Sequence, residues 1–391
     1  MRIGMVLPNL PYPPDIRVDK EAEVLVAAGH EVVLLCRGDG VLPAEERVGP
    51  LEVVRHRVHP DTPLRRRADS AIFHATMDSP SWRHAMMSLV TDHGAQALHL
   101  HDLPYAPSLV RAARATGVPA VLDLHENYPA AIALWGRRRS SRLLFSPTRA
   151  ARLERRVIHE VDRVVVVVEE ARERLLSLGA DPATVHVFGN MEPRGLVPDR
   201  PIPLDFSNGL HIVYVGGVAP HRGLDTAVDA MPAVLEREPS AMLTIVGAGE
   251  SLAGLKERVA GLGIGDNVRF TGFLPLSEAM ERIREANVTL VPHHRSPHTD
   301  STIPHKLFQY MALGRPVIVS DCAPLARVVR ETGSGLVFRA SDPDDLAARL
   351  LEMTETERAE AMAAAGRAAV LDKWNLETDA SALTGLYDEL P

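Results

Sequence analysis

Short β-branched or apolar runs alternate with longer stretches of helical period along this chain, and the alternation runs twice, once on each side of a proline-rich segment. In the first half the runs Arg2–Leu7, Glu31–Cys36, Leu51–Val58, Ala97–His101, Ala120–Leu124, Arg163–Val168 and Val185–Phe188 read as strands. Helical patterns at Val18–Ala28, closed by Gly29, and Ala106–Thr116, closed by Gly117, connect neighbours as crossover helices do in parallel βαβ units. Pro193–Asn208 holds four prolines in sixteen residues and follows neither period, so it reads as a linker. Beyond it come strands at Ile212–Val215, Ala241–Val246, Val268–Thr271, Val288–Val291, Pro316–Ser320 and Gly335–Phe338. Helices fall at Leu224–Arg237, Leu252–Leu262, Leu276–Ala286 and His305–Leu313, and three more helical patterns, Asp344–Met353, Thr356–Asp372 and Leu376–Leu390, close the chain. The expected fold class is α/β, two Rossmann-like doubly wound domains facing across a cleft. The expected division is 1–193, a linker at 194–208, a second domain at 209–372 and a final helix within 373–391.

Composition removes several classes of function. The 391 residues are 46% hydrophobic and 24% charged, enough for a core in each domain. No apolar run approaches the ~20 residues of a spanning helix. The start, MRIGMVLPNLPYPPDIR, meets Pro8 before any apolar region long enough for a secretory signal, so a cytoplasmic protein is expected. Cys36 and Cys322 are too few for a metal knuckle or a disulfide framework. A net charge of −8 with 4% aromatics argues against nucleic-acid binding. One stretch departs from that balance: Arg137–Arg156 holds eight arginines against the single Glu154. It suits either a contact with an anionic acceptor or a peripheral contact with an anionic membrane surface, the alternative being a solvated helix face.

Four places at expected strand ends concentrate glycine, proline, histidine or charge. In the first, Pro8, Pro11, Pro13 and Pro14 delay a helix until Asp15, a suitable N-cap, and Arg17 falls in the first turn. A helix dipole favours an acid there, so Arg17 points to an anionic ligand, the alternative being a stiff surface loop. In the second, His99 and His101 share one face of a strand, Asp123 and His125 share a face of the next, and Asp102, Glu126 and Asn127 follow. Such a cluster suits either H-x-H metal ligation or a histidine set beside a sugar or carbonyl. No metal is expected, because no second ligand-rich cluster follows at the later strand ends of this half and the eightfold repeat of a barrel is missing.

The third place, Val215 to Gly223, runs strand, Gly216-Gly217, Arg222, helix, an order that suits a phosphate, and Gly247-Ala248-Gly249 repeats the glycine theme. The fourth runs from Asp300 to Pro316. Pro304 fits the first helical position, the N–H groups of His305 and Lys306 point out of the helix start, and Lys306 adds a full charge, which together make a diphosphate cradle. Gln309 lies one turn on from His305, on the same face.

The strand-end His125, the G-G…H-R-G turn, I-V-G-A-G-E at Ile245–Glu250, Asn267–Phe273 and K-L-F-Q-Y-M-A-L-G-R-P-V-I-V-S-D at Lys306–Asp321 together resemble the GT-B-fold retaining glycosyltransferases, specifically glycosyltransferase family four. The resemblance covers nearly the whole chain and is strongest over residues 210–340. It implies a nucleotide-sugar donor held by the C-terminal domain through Gly216, Gly217, Arg222, Gly247, Phe273, Ser301, Thr302, Ile303, Pro304, His305, Lys306 and Gln309. It implies a hydroxyl acceptor held by the N-terminal domain, with Asp15, Arg17, His101 and Glu126 at the acceptor or its closing loop. His125, Arg222 and Lys306 become the catalytic candidates, with no metal and no cofactor beyond the nucleotide-sugar co-substrate, and the last helix is expected to cross back to the first domain. The chain departs from the family's pattern in three positions. An arginine is frequent where Gly217 stands, and two glutamates spaced eight apart correspond to Ser301 and Gln309.

The expected function is metal-independent transfer of a hexose-type sugar from a nucleoside diphosphate to a hydroxyl, with retention at the anomeric carbon. Two other readings fit part of the pattern. A non-hydrolysing nucleotide-sugar epimerase would use carboxylates such as Asp102, Asp123 and Glu126 as bases. A catalytically inactive nucleotide-sugar-binding subunit would account for the two missing glutamates.

Overall fold

In the computed structural model, which describes residues 1–59, 62–135 and 146–390, the chain divides into two compact units. Unit 1 is Met1–Gly189 with Asp379–Pro391, and unit 2 is Asn190–Thr378.

Among the described residues, unit 1 is built on strands β1 (Arg2–Leu7), β2 (Glu31–Arg37), β3 (Glu45–Val48), β4 (Leu51–His56), β5 (Ala97–His101), β6 (Ala120–Leu124), β7 (Arg163–Val166) and β8 (Val185–Val187). They pair in the order β3-β4-β2-β1-β5-β6-β7-β8, all parallel except β3 on β4. The central strands β5 and β6 are buried along their whole length, as a parallel sheet covered by helices on both faces requires. Strand β3 was not expected from the sequence. Its Glu-Glu-Arg-Val alternates exposed and half-buried residues at the sheet edge, so it carries charge instead of an apolar run. The helix Pro63–Thr76 was missed for a similar reason, since only Asp69 on it is buried.

Unit 2 carries β9 (His211–Val215), β10 (Met242–Val246), β11 (Val268–Gly272), β12 (Val288–Val291), β13 (Val317–Ser320) and β14 (Gly335–Phe338). Their order is β11-β10-β9-β12-β13-β14, with every pair parallel. The doubly wound α/β class is therefore the architecture of both units. The order reverses between β9 and β12, the kind of switch point where such sheets take their ligands.

The division differs from the expected one. It falls at Gly189/Asn190, and residues 194–208 belong to unit 2 instead of bridging to it. The prolines there cannot join a sheet, but their carbonyls still accept. The buried Arg315 guanidinium donates to Ile202, Pro203 and Ala286 and ties the segment down. The last helix, Leu376–Asp388, starts in unit 2 and belongs to unit 1 from Asp379 on. There the Asp379 carboxylate accepts from the Gly189 N–H at 2.7 Å, and the Tyr387 hydroxyl lies 2.5 Å from His99 Nδ1.

Candidate functional site

In unit 1 the candidate residues gather at the carboxyl ends of β1, β5 and β6. Asp15 caps the helix Ile16–Ala27 by accepting from the N–H groups of Arg17 and Val18, as the sequence suggests. Arg17 does not face a ligand. Buried to 5% exposure, its Nε and Nη2 each donate to the Asp123 carboxylate at 2.9 Å, and Nη1 donates to the carbonyls of Phe188 and Gly189. Its place in the first turn thus serves a buried carboxylate of the protein, which answers its charge as an external anion would.

His125 stands between two carboxylates, its Nε2 2.7 Å from Asp123 and its Nδ1 3.5 Å from Asp102. Burial favours the neutral ring, but Asp102 and Asp123 outweigh it and raise His125 to about 10. The ring is therefore an imidazolium at neutral pH with both nitrogens aimed at acids, unsuited to act as a base. His101 is fully buried, with Nδ1 3.1 Å from His125 Nε2, and burial holds it neutral. Glu126, half-buried, follows in the chain. Glu21, Asp123, His99 and His101 bring ligand atoms within 4.8 Å of one another, so a metal is geometrically conceivable. The Arg17 guanidinium, however, lies 2.9 Å from both Glu21 and Asp123 and puts a fixed cation where a metal would sit. Burial, with Asp123 nearby, lifts the Glu21 carboxyl well above the usual range, which weakens it as a metal ligand.

In unit 2 the candidates lie around the helix His305–Ala312. Pro304 is its N-cap, with φ −83° and ψ 146°, one position earlier than the sequence suggested. His305 is the first helical residue, and its N–H and that of Lys306 still lead the helix. The Lys306 ammonium is 8% exposed, lies 3.8 Å from the centroid of the Tyr214 ring and has no hydrogen-bond partner among the described residues. Burial, with Arg222 nearby, pushes it well below the usual lysine value.

Two glycines make room for this lysine. Gly216 has φ +134°, and a Cβ there would lie 2.5 Å from Lys306 Nζ. Gly247 has φ +147°, and its Cβ would lie 1.9 Å from the Gly216 carbonyl oxygen. Only glycine allows both loops to close this tightly. Gly217 has open space around it, so the arginine frequent at that position would fit.

Arg222 ends a short turn before the helix Leu224–Leu235 and donates from Nη1 to His293 Nε2 at 3.0 Å. His221 and His298 are pushed to about 4 by burial and by Arg222, and His293 lies well below the usual value for the same reasons. These three rings are neutral at pH 7, leaving Arg222 as the fixed charge of the cluster beside the buried Lys306 amine.

The two positions that lack glutamate behave differently. The Ser301 hydroxyl donates back to the carbonyls of Pro297 and His298, so it serves its own loop. Gln309 is 7% exposed and donates from Nε2 to Glu192 Oε1 at 3.1 Å. A buried carboxylate therefore stands beside Gln309 after all, supplied from 117 residues away in sequence. Thr302 is half-buried, the Ile303 carbonyl accepts from Asn190 Nδ2, and Phe273 is 81% exposed just past the Gly247–Gly272 bridge. Glu192, His293 and Tyr214 were not singled out from the sequence. Only the place of Glu192, shortly beyond a strand end, hinted at a role.

Of the Arg137–Arg156 stretch, residues 136–145 lie outside the described residues. The helix Pro147–Val157 carries the rest, and its Arg149, Arg152 and Arg156, with Arg111, line a cavity of about 400 Å³ floored by Met77 and Leu153. No helix among the described residues is long and apolar enough to cross a membrane.

Residues 15–191 match the glycosyl transferase 4-like domain, and residues 199–369 match glycosyl transferases group 1. Among characterised proteins, the chain is 26% identical to the GDP-mannose-dependent monoacylated alpha-(1-6)-phosphatidylinositol monomannoside mannosyltransferase of Corynebacterium glutamicum, over 61% of this chain and 65% of that one. It is likewise 26% identical to the phosphatidyl-myo-inositol mannosyltransferase of Mycolicibacterium smegmatis, over 92% and 86%. The chain spans between 46% and 65% of the length of the first four curated relatives it matches. Among solved structures, the sucrose-phosphate synthase of Thermosynechococcus elongatus superposes with a TM-score of 0.78 at 20% identity, over 99% of this chain and 98% of that one. Anabaena HepE in complex with UDP-glucose superposes at 0.74 and 14% identity over the whole of both chains. With one family match on each unit and this shared architecture, the chain belongs to the glycosyl transferases group 1, of the family-four type and with the GT-B fold.

Proposed function

We propose that this protein transfers a hexose-type sugar from a nucleoside diphosphate to a hydroxyl acceptor, with retention at the anomeric carbon. Lys306 carries the reading: a buried amine without a hydrogen-bond partner among the described residues, at the start of a helix and against two glycine loops, suits an anion whose arrival would hold it protonated. The relatives' names point the same way, to GDP-mannose in one case and a UDP-glucose complex in another. In the reaction the bond between the anomeric carbon and the diphosphate oxygen breaks, the acceptor oxygen bonds to that carbon, and the acceptor proton passes to the departing diphosphate. Negative charge grows on the diphosphate, and Lys306, Arg222 and the N–H groups of His305 and Lys306 stabilise it. These cations stand in for a divalent metal. His125, already protonated and paired with Asp102 and Asp123, does not remove the proton.

The epimerase reading fares worse, because Asp123 is fully buried and bound by Arg17 and His125 and so is not free to abstract a proton. The inactive-subunit reading rested on missing carboxylates, and Glu192 restores one beside Gln309. The arginine-lined cavity of Arg111, Arg149, Arg152 and Arg156 supports peripheral contact with an anionic surface.

Turnover of nucleotide sugars in the presence of EDTA tests the main reading. The expected result is an undiminished rate, together with donor-dependent thermal stabilisation approaching about 2.7 kcal/mol at a hundredfold excess over Kd. A rate abolished by EDTA and restored by a divalent ion would overturn the metal-free chemistry.

A further inference from the structure

Within unit 1 a chain of buried polar side chains runs from the last helix to His125, and the transfer chemistry leaves it unused. Tyr387 is 3% exposed, and His99 and His101 are not exposed at all. Both histidines lie on β5, two residues apart and so on one face, where the parallel register sets His101 beside Asp123 of β6. Across from them, Leu383, Leu386 and Tyr387 form a buried stripe on the helix Leu376–Asp388.

Donors and acceptors along the chain can be assigned in turn. The hydrogen-bond partner of the Tyr387 hydroxyl among the described residues is His99, with Nδ1 2.5 Å away. Burial, with Glu21 and Asp123 nearby, holds this phenol well above its usual value, so it keeps its proton. A buried hydroxyl proton needs an acceptor, so Tyr387 donates, His99 Nδ1 is the bare nitrogen, and the ring proton of His99 sits on Nε2. The His99 ring lies against that of His101, with centroids 4.8 Å apart and planes 22° from parallel. His101 Nδ1 is in turn 3.1 Å from His125 Nε2. As an imidazolium, His125 has no lone pair to offer, so it donates and His101 accepts, sharing that proton with Asp123. His101 thus holds the same tautomer as His99.

A core built for packing alone would take another form. Leucine or valine would fill both places on β5 without desolvating an imidazole, and phenylalanine would fill the place of Tyr387. The Nε2 atoms of His99 and His101 are buried without a hydrogen-bond partner among the described residues, a cost that packing does not offset. We propose that Tyr387 is a positioning residue for His125, acting through the stacked rings of His99 and His101. Its hydroxyl fixes the plane and tautomer of His99, the stack sets the plane of His101, and His101 Nδ1 fixes the direction of the His125 Nε2–H bond. This inference rests on the transferase reading, with His125 at the transfer site, where a misplacement of about 1 Å costs about 100-fold in rate.

The test compares Tyr387→Phe, which removes only the hydroxyl, with Leu386→Ala, which opens a cavity on the same face of the helix. Two readouts are taken on the full chain. By NMR of isotope-labelled histidine, the ring nitrogens of His125, assigned by their loss in His125→Gln, should shift or broaden in Tyr387→Phe and stay in place in Leu386→Ala. In release of nucleoside diphosphate from GDP-mannose and from UDP-glucose, Tyr387→Phe should lower kcat about tenfold with donor KM within about twofold. Leu386→Ala should lower the unfolding midpoint and leave kcat unchanged. In a His99→Leu background, Tyr387→Phe should change neither readout further. Unmoved His125 signals in Tyr387→Phe, equal movement in both single variants, an unchanged kcat in an active chain, or a full additional effect in the His99→Leu background overturns the inference. His125 signals that respond to Tyr387→Phe in a wild-type chain that releases diphosphate from neither nucleotide sugar would instead uphold the positioning and overturn the transferase reading for these donors.

Discussion

Around His125, each charge meets its opposite inside the protein: Arg17 on Asp123, His125 on Asp123 and Asp102. Around Lys306, Arg222 and Lys306 stand together, one bonded to a neutral histidine and the other with no hydrogen-bond partner among the described residues. The first arrangement is complete without a ligand, and removing a member leaves an unanswered buried charge. The second is incomplete, and its repulsion is relieved only when an anion arrives. A charged cluster that is closed on itself therefore reads as structure, and one that is open reads as a binding site, even where both hold the same residue types.

The largest expected effect follows from breaking the closed cluster. Asp123→Asn leaves Arg17 and His125 buried without their carboxylate and should cost about 3–5 kcal/mol of stability, read from denaturant unfolding. A loss within experimental error of zero would mean that the network does not support the fold. Lys306→Met should do the reverse, cutting the rate by about 10² to 10³ while leaving unfolding unchanged or shifted upward. If Lys306→Met destabilised the chain as much as Asp123→Asn, the distinction between the clusters would be lost.

Gln309→Ala sharpens the comparison within unit 2. Because the amide donates to the buried Glu192 carboxylate, its removal should cost about 1.5–3 kcal/mol of stability, the range of a charged hydrogen bond, and raise the donor KM with kcat changed much less. An unchanged donor KM would mean that Gln309 takes no part in holding the donor.

The difference between these helix faces and the rest of the chain also explains what could be read in advance. The strands β1, β5, β6 and β12 are apolar along nearly their whole length between clear breakers, and their bounds followed from the sequence alone. The helix Ala323–Thr332 went unseen, because its start at Cys322 offers no capping side chain. At the site, Lys306 was legible from the local sequence of Pro304 and a helix start. Arg17 was legible as a cation but not as a bound one, because its partner Asp123 lies 106 residues away. Glu192 is brought beside Gln309 by tertiary packing, and apart from its place shortly beyond a strand end it left no local signal.

Protonation offers a finer contrast. His221 and His298 sit at about 4 beside Arg222, so a diphosphate bound there should raise them and draw protons from solution between about pH 4 and the ordinary histidine value of 6.5. Calorimetry of nucleoside diphosphate binding at pH 5.5, in buffers of different ionisation enthalpy, should give net proton uptake, and proton release would contradict the placement. His125 has the opposite sign. Its folded value of about 10 lies above the unfolded 6.5, so its contribution to stability is complete below pH 6.5 and is lost as pH rises toward 10. His125→Ala should flatten that part of the stability profile. The smallest effect is expected from Arg149→Gln, Arg152→Gln and Arg156→Gln. Each should weaken sedimentation with anionic vesicles at low salt by about 1 kcal/mol, and wild-type protein that stays in the supernatant would refute the surface contact.

The two places where the chain passes into and out of unit 2 are fastened to each other. Glu192 forms a parallel bridge with Asn375, and the Leu376 N–H donates to the Glu192 carbonyl at 3.0 Å. Topologically, unit 2 is thus an insert in unit 1 whose ends meet at one seam. Inserts with adjoining ends are the segments most readily transplanted between proteins. Residues 190–378 are therefore the piece to exchange with that of a relative while unit 1 stays continuous, and Glu192, which lies on the seam itself, is the residue such a graft must carry with it.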